Sequence, residues 1–297
     1  AFSGRTGRPK AERAKIKKEI KDAIKDVRKA RKDLQSVEQR VAEQNELAKE
    51  PLRNALVNLK KRAPATAALV TDLYPQVLPY LIKGQDESPV HHIAHVVNFA
   101  AQIAEKEDLS ERATKLLVIA ALFHDIGIGD SVLPKITEEM IKEAPLAEQP
   151  ALRVRAINAR IEHMQKGAKL TGDILKNYDR SHPGKFDSGD MEAIASIVEK
   201  HDNSKIPLLQ ETMDTSLLLS SDRSPDGPDG LLQLHWEADS LWMDSLDGIL
   251  VDLNRQDQAD TPVNRIAKFG FNTALHRQAI EVYKSAFSAG EFKAYGF

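Results

Sequence analysis

The stretch ALFHDIGIGDS, residues 121–131, ends an apolar run with a histidine and an aspartate placed side by side. The run starts at Leu116, and a helix built from it would be buried on most of its surface. Burying an imidazole or a carboxylate without a partner costs several kcal/mol, so His124 and Asp125 need a stabilising partner. The stretch therefore predicts a buried helix that ends at a functional site.

The composition is that of a globular chain. The 297 residues are 41% hydrophobic, which supports a substantial core in one large domain or two smaller ones. The sequence has no cysteine, which excludes disulfides, thiolate metal sites and cysteine nucleophiles and fits a cytoplasmic protein. The longest strongly apolar run, 116–123, is too short to cross a bilayer, and no signal peptide is visible, so we expect no membrane association.

The N-terminal part differs in charge from the rest of the chain. Residues 1–62 hold 19 Lys+Arg and 9 Asp+Glu, whereas the remainder holds 23 and 35. Heptad seams along residues 9–50 predict a long helix in a coiled coil, and Pro51 suits the first turn of a following helix over 51–62. One of these seams is Ile20, Val27, Leu34 and Val41. We predict a basic coiled coil or helical hairpin over 1–62 that forms a homodimer, with nucleic-acid binding as the alternative role.

From residue 63 onward the sequence is typical of helices joined by loops rich in proline, glycine and aspartate. No alternating strand pattern and no fixed-period repeat is present, which argues against a sheet and against a solenoid. We predict an all-α bundle with a connecting helix or linker at 63–88, a main helical domain at 89–255 and closing helices at 256–297.

Ionisable side chains recur on the apolar faces of the predicted helices. Four histidines and two aspartates on five helices share this property: His92, His124, Asp125, His163, His201 and Asp239. A lone histidine of this kind is usually a satisfied core residue, but six such groups indicate a shared cation. Mixed nitrogen and oxygen ligands suit Fe or Mn, with Zn, Co or Ni as alternatives. Six ligands exceed what one catalytic ion takes, so we expect two divalent ions that share a carboxylate.

Several further residues lie near these positions. Asp222 also ends an apolar run and is the alternative to Asp239 as the last ligand, although helical periodicity favours Asp239. His235, one turn before Asp239, is either a partner of the ligands or a substrate contact. Trp236 and Trp242 are expected to be core aromatics. Three other histidines are predicted to be structural or at the surface: His91, His182 and His276.

The order of these residues resembles the HD superfamily of metal-dependent phosphohydrolases. HIAHVVNFA, LLVIAALFHDIG and EADSLWMD look like its first histidine, its His-Asp pair and its distal aspartate. EHMQKGAKLTGDIL and VEKHDN look like the two further histidine segments of the binuclear branch, which includes the HD-GYP phosphodiesterases. The lysine of that branch after HDIG and its GYP motif are missing, and Asp202 stands at the second position of its His-His pair. The resemblance covers residues 88–250 and implies an all-α bundle with the binuclear metal framework.

The resemblance also implies a reaction, the hydrolysis of a phosphate ester or anhydride, with a nucleotide as the expected substrate. Asp125 would bridge the two ions, and a metal-bridging hydroxide would attack phosphorus. His95, one turn after His92, is a candidate proton donor, substrate contact or partner of the ligands. Three lysines near the ligand positions are candidates for neutralising phosphate, although each lysine taken singly is more often only solvated: Lys166, Lys169 and Lys205.

Two other hypotheses are compatible with the same residues. A diiron oxygenase that cleaves C–C or C–P bonds would use the same framework, and iron-dependent oxygen uptake would distinguish it from a hydrolase. A non-catalytic metal or ligand sensor with the coiled coil as its output is the third hypothesis. An Asp125→Ala variant that keeps every activity would favour the sensor.

Overall fold

The computed structural model describes residues 37–83, 89–130, 136, 138–203, 228–242, 274–275 and 277–278. Within these residues the chain forms α-helices and one 3₁₀ turn, Ile128–Asp130, and it contains no β-strand. The helices are α1 (Val37–Arg62), α2 (Pro64–Lys83), α3 (Pro89–Lys106), α4 (Glu111–Phe123), α5 (Glu138–Glu143), α6 (Gln149–Ser181), α7 (Ser188–Lys200) and α8 (Pro228–Trp242). The predicted all-α class is confirmed.

Helix α4 lies at the centre of the bundle, where it contacts α2, α3, α7 and α8. Ten of its thirteen residues are buried, as expected for a helix that is apolar on all sides. Its first turn is capped by Ser110, whose hydroxyl accepts a hydrogen bond of 3.1 Å from the amide of Ala113. The helix ends at Phe123, and His124 is its C-cap residue. The His-Asp pair therefore comes where the buried helix stops.

Helix α1 packs along α3 and α2, and its buried Ala48, Ala55 and Leu59 belong to the common core. The helix runs through Pro51, so the predicted start of a new helix at this residue is wrong. Pro51 is buried, and the packing of the flanking turns offsets the loss of one backbone donor.

Most of the predicted coiled coil falls in residues 1–36, which lie outside the described residues. The coiled coil, the homodimer, nucleic-acid binding and the division into domains therefore stay predictions. Most of the predicted closing helices, at 256–297, also lie outside the described part. Among the helices that the structure describes, none is both long and apolar enough to cross a membrane.

An ion-pair cluster aligns α7 with α4. The buried carboxylate of Asp190, in the first turn of α7, accepts a hydrogen bond of 2.8 Å from Arg112 of α4 and forms an ion pair with Lys115. Asp187 caps α7, because its carboxylate accepts a hydrogen bond of 2.6 Å from the amide of Asp190. The two helices run in the same direction, so their C-terminal ends come together.

Candidate metal centre

The two histidines at the ends of α4 and α7 have the same local geometry. His124 and His201 are the C-cap residues of these helices, and both have right-handed helical backbone angles. His124 Nδ1 lies 2.8 Å from the carbonyl oxygen of Ala121, and His201 Nδ1 lies 2.7 Å from that of Val198. A carbonyl can only accept, so each Nδ1 carries the proton, and each Nε2 lone pair is available to a metal.

One group of ligand atoms combines α3, α8 and the end of α4. His92 Nε2 lies 3.1 Å from His124 Nε2, 3.5 Å from Asp125 Oδ2 and 3.1 Å from Asp239 Oδ1. His124 Nε2 lies 3.4 Å from Asp125 Oδ2 and 3.8 Å from Asp239 Oδ1. His92, His124 and Asp125 are close enough to hold one metal ion, and Asp239 faces the same atoms. Asp222, the alternative to Asp239, lies outside the described residues.

A second group combines α6 with the ends of α4 and α7. His163 Nε2 lies 3.2 Å from His201 Nε2, and His201 Nε2 lies 3.3 Å from Asp125 Oδ1. Asp125, His163 and His201 are close enough to hold one metal ion. The two oxygens of Asp125 therefore face two different groups. The structure thus brings together the six side chains that were predicted as ligands.

Two glycines allow α6 to approach the His-Asp segment closely. A Cβ atom on Gly127 would lie 2.0 Å from the carbonyl oxygen of His163 and 2.5 Å from the amide nitrogen of Gly167. A Cβ atom on Gly167 would lie 3.2 Å from a methyl group of Val198. Only a residue without a side chain fits this backbone contact, which holds His163 next to Asp125.

The donor set fits a cation. Burial opposes a charge on Asp125, but the adjacent imidazoles of His124 and His201 hold the pKa of this carboxyl well below its usual range. Burial also opposes protonation of His124, yet the carboxylates of Asp125 and Asp239 raise the pKa of His124 to about 9. The cluster therefore requires positive charge at its centre, which either protons or metal ions supply. Burial lowers the pKa of His163 to about 4, so this imidazole is neutral and able to bind a metal at pH 7.

His95 belongs to an aromatic cluster beside the first group. Its Nε2 atom lies 3.0 Å from that of His91, and the ring of Trp242 packs against His91, His92 and His95 with centroid distances of 5.0 to 5.4 Å. Burial lowers the pKa of His95 to about 4, and the neighbouring histidines add to this effect. A neutral His95 is better suited to accept a proton or a hydrogen bond than to act as the proton donor. His91 is buried, so of its two predicted roles the structural one fits.

Helix α8 packs against the histidines at the ends of α4 and α7. His235 is fully buried, with its ring centroid 5.1 Å from that of His124 and 6.2 Å from that of His201. The indole of Trp236 donates a hydrogen bond of 3.2 Å to the carbonyl oxygen of Lys200 at the end of α7. These contacts favour the role of partner to the ligands over that of substrate contact for His235. Trp236 and Trp242 are both buried, as predicted.

The predicted phosphate-binding lysines differ in their surroundings. Lys166 forms an ion pair of 2.6 Å with Glu162, one turn earlier on α6. Lys169 is exposed on the same helix, and Lys205 lies outside the described residues.

Asp202 and Arg160, which were not predicted as site residues, lie beside the second group. The carboxylate of Asp202 is only 6% exposed, and its Oδ2 atom lies 3.5 Å from His163 Nε2. Arg160 of α6 donates a hydrogen bond of 2.8 Å to the same oxygen. The sequence could have indicated Asp202 as a site residue, because Asp202 directly follows His201 and repeats the His-Asp dipeptide of residues 124–125.

The HD domain family model matches residues 90–223, so this segment of the chain is similar to HD domains. The matched segment contains the predicted ligands except Asp239, which follows it on α8. Comparisons with curated proteins and with solved structures gave no match.

Proposed function

We propose that the protein is a metal-dependent phosphohydrolase with two divalent ions bound between the ends of α4 and α7. One observation carries the proposal. Asp125 presents Oδ2 to His92 and His124, at 3.5 and 3.4 Å, and Oδ1 to His201, at 3.3 Å. A carboxylate placed between two histidine groups in this way is suited to bridge two cations.

The ligands divide into two sets that share this carboxylate. The first ion would be held by His92, His124, Asp125 and Asp239, and the second by Asp125, His163 and His201. Imidazole nitrogens mixed with carboxylate oxygens favour Fe or Mn, with Zn, Co and Ni as alternatives. When bound, a pair of divalent ions lowers the pKa of a water molecule and polarises a phosphoryl oxygen, which is the chemistry of phosphate hydrolysis.

The chain's own residues orient the site and leave one side of it open. His124 and His201 are 1% exposed and are held by backbone carbonyls, so their Nε2 atoms are fixed. His92 and Asp125 are 15% and 14% exposed, so we expect a phosphate to reach the ligands from their side of the site. His95, one turn from His92, would accept a hydrogen bond or a proton from the substrate or from water. A nucleotide is the first substrate class to test.

The experiment is a turnover assay on protein loaded with Mn²⁺ or, without oxygen, with Fe²⁺. Nucleoside monophosphates and triphosphates, p-nitrophenyl phosphate and bis(p-nitrophenyl) phosphate are the substrates, and phosphate or nitrophenolate release is measured. We expect turnover with at least one of them and a loss to background in Asp125→Asn. Asp173→Asn, which changes an exposed aspartate on α6, is the matched control and should keep wild-type turnover.

Two results would contradict the proposal. One is the absence of turnover with every metal and substrate pair in protein shown to contain two ions. The other is oxygen uptake by the iron-loaded protein without phosphate release, which would identify an oxygenase.

A further inference from the structure

Arg160 lies where α6 becomes buried in the bundle. No residue of this helix from Gln149 to Glu162 is buried, and its first buried residue is His163 of the second group. Arg160 precedes His163 by one turn, and its side chain is 47% exposed. The guanidinium is therefore at the boundary between the candidate metal centre and solvent.

Asp202 fixes the position of this guanidinium. Arg160 Nη1 donates a hydrogen bond of 2.8 Å to Asp202 Oδ2, and the same oxygen lies 3.5 Å from His163 Nε2. One carboxylate oxygen thus separates the guanidinium from the second group. A guanidinium has five N–H donors in a planar fork, and this hydrogen bond uses one of them. Donors therefore remain for an anion that enters from the solvent side.

Phosphate groups differ in the number of oxygens that they offer to such a donor. A phosphodiester has two non-bridging oxygens, whereas the terminal phosphoryl group of a phosphate monoester or a nucleotide has three. The two ions of the proposed function would engage two of these oxygens. A third oxygen, with the further negative charge of a terminal group, is what a guanidinium beside the ions can bind.

We propose that Arg160 binds the third oxygen of a terminal phosphoryl group, so that the site selects phosphate monoesters and nucleotide ends over phosphodiesters. The inference rests on the proposed function and names the substrate class of the same site. The residue type suits the role, because hydrogen bonds between guanidinium and phosphate are charge-assisted and about twice as strong as neutral ones.

The competing interpretation is that Arg160 only neutralises the buried carboxylate of Asp202. Arg112 has such a role at the other end of α7, where it donates a hydrogen bond of 2.8 Å to the buried Asp190, away from the ligands. A purely structural ion pair would affect stability or metal content, but it would not affect the choice between monoester and diester. Arg112 therefore supplies the matched control.

Phosphate binding is measured first, without turnover. Mn²⁺-loaded proteins are titrated with inorganic phosphate by calorimetry, after their metal content has been determined and circular dichroism has shown that they are folded. Glutamine can still donate a hydrogen bond to Asp202, but it lacks the charge and the fork of a guanidinium. We expect Arg160→Gln to bind inorganic phosphate at least about tenfold more weakly than wild type, and Arg112→Gln to match wild type.

A second variant separates phosphate binding from metal loss. Arg160→Lys keeps a cation beside Asp202 but cannot hold the carboxylate and a phosphate with one planar fork, so it should also bind phosphate more weakly than wild type. It decides the test if Arg160→Gln contains less Mn²⁺ than wild type. Loss of Mn²⁺ from both variants would show that Arg160 acts only through Asp202, and would overturn the assignment.

Selectivity is then measured with p-nitrophenyl phosphate and bis(p-nitrophenyl) phosphate. Wild type should have the higher kcat/KM for the monoester. Arg160→Gln should lower the ratio of the monoester kcat/KM to the diester kcat/KM by at least about tenfold, because the diester offers this guanidinium no third oxygen. Arg112→Gln should keep the wild-type ratio.

Three results would overturn the assignment of Arg160 and leave the proposed phosphohydrolase standing. They are a wild type that prefers the diester, wild-type phosphate affinity in a fully loaded Arg160→Gln, and equal losses of monoester and diester turnover in that variant. Absence of all turnover in wild type that contains two ions would instead contradict the phosphohydrolase. The phosphate titration would then still decide whether Arg160 binds phosphate.

Discussion

Asp125 keeps its negative charge inside the protein because imidazoles face both of its oxygens. His124 lies 3.4 Å from Oδ2 and His201 lies 3.3 Å from Oδ1. The pKa of His124, raised to about 9, means that a proton resides there when no metal is bound. A divalent ion would replace this proton, so the carboxylates that attract the proton to His124 would also attract a metal ion.

Gly127 lies where a single added methyl group would push the second group of ligand atoms away from the first. We expect Gly127→Ala to lower the free energy of unfolding by at least about 2 kcal/mol, because its Cβ would lie 2.0 Å from the carbonyl oxygen of His163. The backbone of α6 must then move away, and His163 moves with it. Urea unfolding measures the change in stability, and Mn²⁺ stoichiometry measures whether the proposed second ion is lost.

Gly172→Ala on the same helix is the control for this prediction. No heavy atom lies within 4 Å of a Cβ at this position among the described residues, so alanine should be neutral or stabilise the helix by about 0.5–1 kcal/mol. Equal unfolding free energies for the two variants would show that the contact at Gly127 is not tight.

At the level of the helices, hydrophobic periodicity predicted α3, α4 and α7 and placed the predicted ligands of these helices on their buried faces or at their ends. His92 was found because its helix buries Val96 and Ile103 on the same face, which is a local pattern. The end of α4 was found because the apolar run stops at a His-Asp pair. These features depend on residues within a few turns of one another, and a single sequence displays them.

The features that the sequence did not predict depend on contacts between helices. The passage of α1 through Pro51 is stabilised by packing on α3, which no local proline rule includes. The ion pair of Arg160 with Asp202 joins residues 42 positions apart. The contact of Gly127 with α6 likewise requires knowledge of which helices are neighbours.

The contact between α2 and α6 can be tested through one hydrogen bond. The hydroxyl of Tyr178 donates to Asp72 Oδ2 at 2.8 Å, and it connects the two helices. We expect a double-mutant cycle of Tyr178→Phe and Asp72→Asn at pH 8 to give a coupling of about 0.5–1.5 kcal/mol. Additive effects of the two substitutions would contradict this link.

The same hydrogen bond predicts a pH dependence. Burial, together with the hydrogen bond to Asp72, raises the pKa of Tyr178 from 10.0 to about 12 in the folded protein. The unfolded chain therefore loses this proton first, so the contribution is complete below pH 10 and disappears as pH rises towards 12. The stability difference between wild type and Tyr178→Phe should shrink from pH 8 to pH 11 in urea unfolding. A stability difference that stays constant from pH 8 to pH 11 would contradict the prediction.

For the molecule as a whole, the candidate metal centre is the point where distant parts of the chain meet. Its six predicted ligands come from α3, the end of α4, α6, the end of α7 and α8. The unfolded chain cannot hold these side chains together, so ions that bind the folded state selectively must stabilise the entire bundle. Metal occupancy and global stability are therefore linked.

This linkage predicts that Mn²⁺ raises the melting temperature of the chelator-treated protein. At a free concentration about 100 times its Kd, each bound ion adds about 2.7 kcal/mol to the free energy of unfolding. Ca²⁺ should give a smaller shift, because four of the six ligands are imidazoles and this ion prefers oxygen. Asp125→Asn should abolish most of the Mn²⁺ shift, whereas Asp173→Asn, on the surface of α6, should retain it. Equal shifts in these two variants would mean that Mn²⁺ stabilises the protein from a site that does not depend on Asp125, the carboxylate that contacts both groups of histidines.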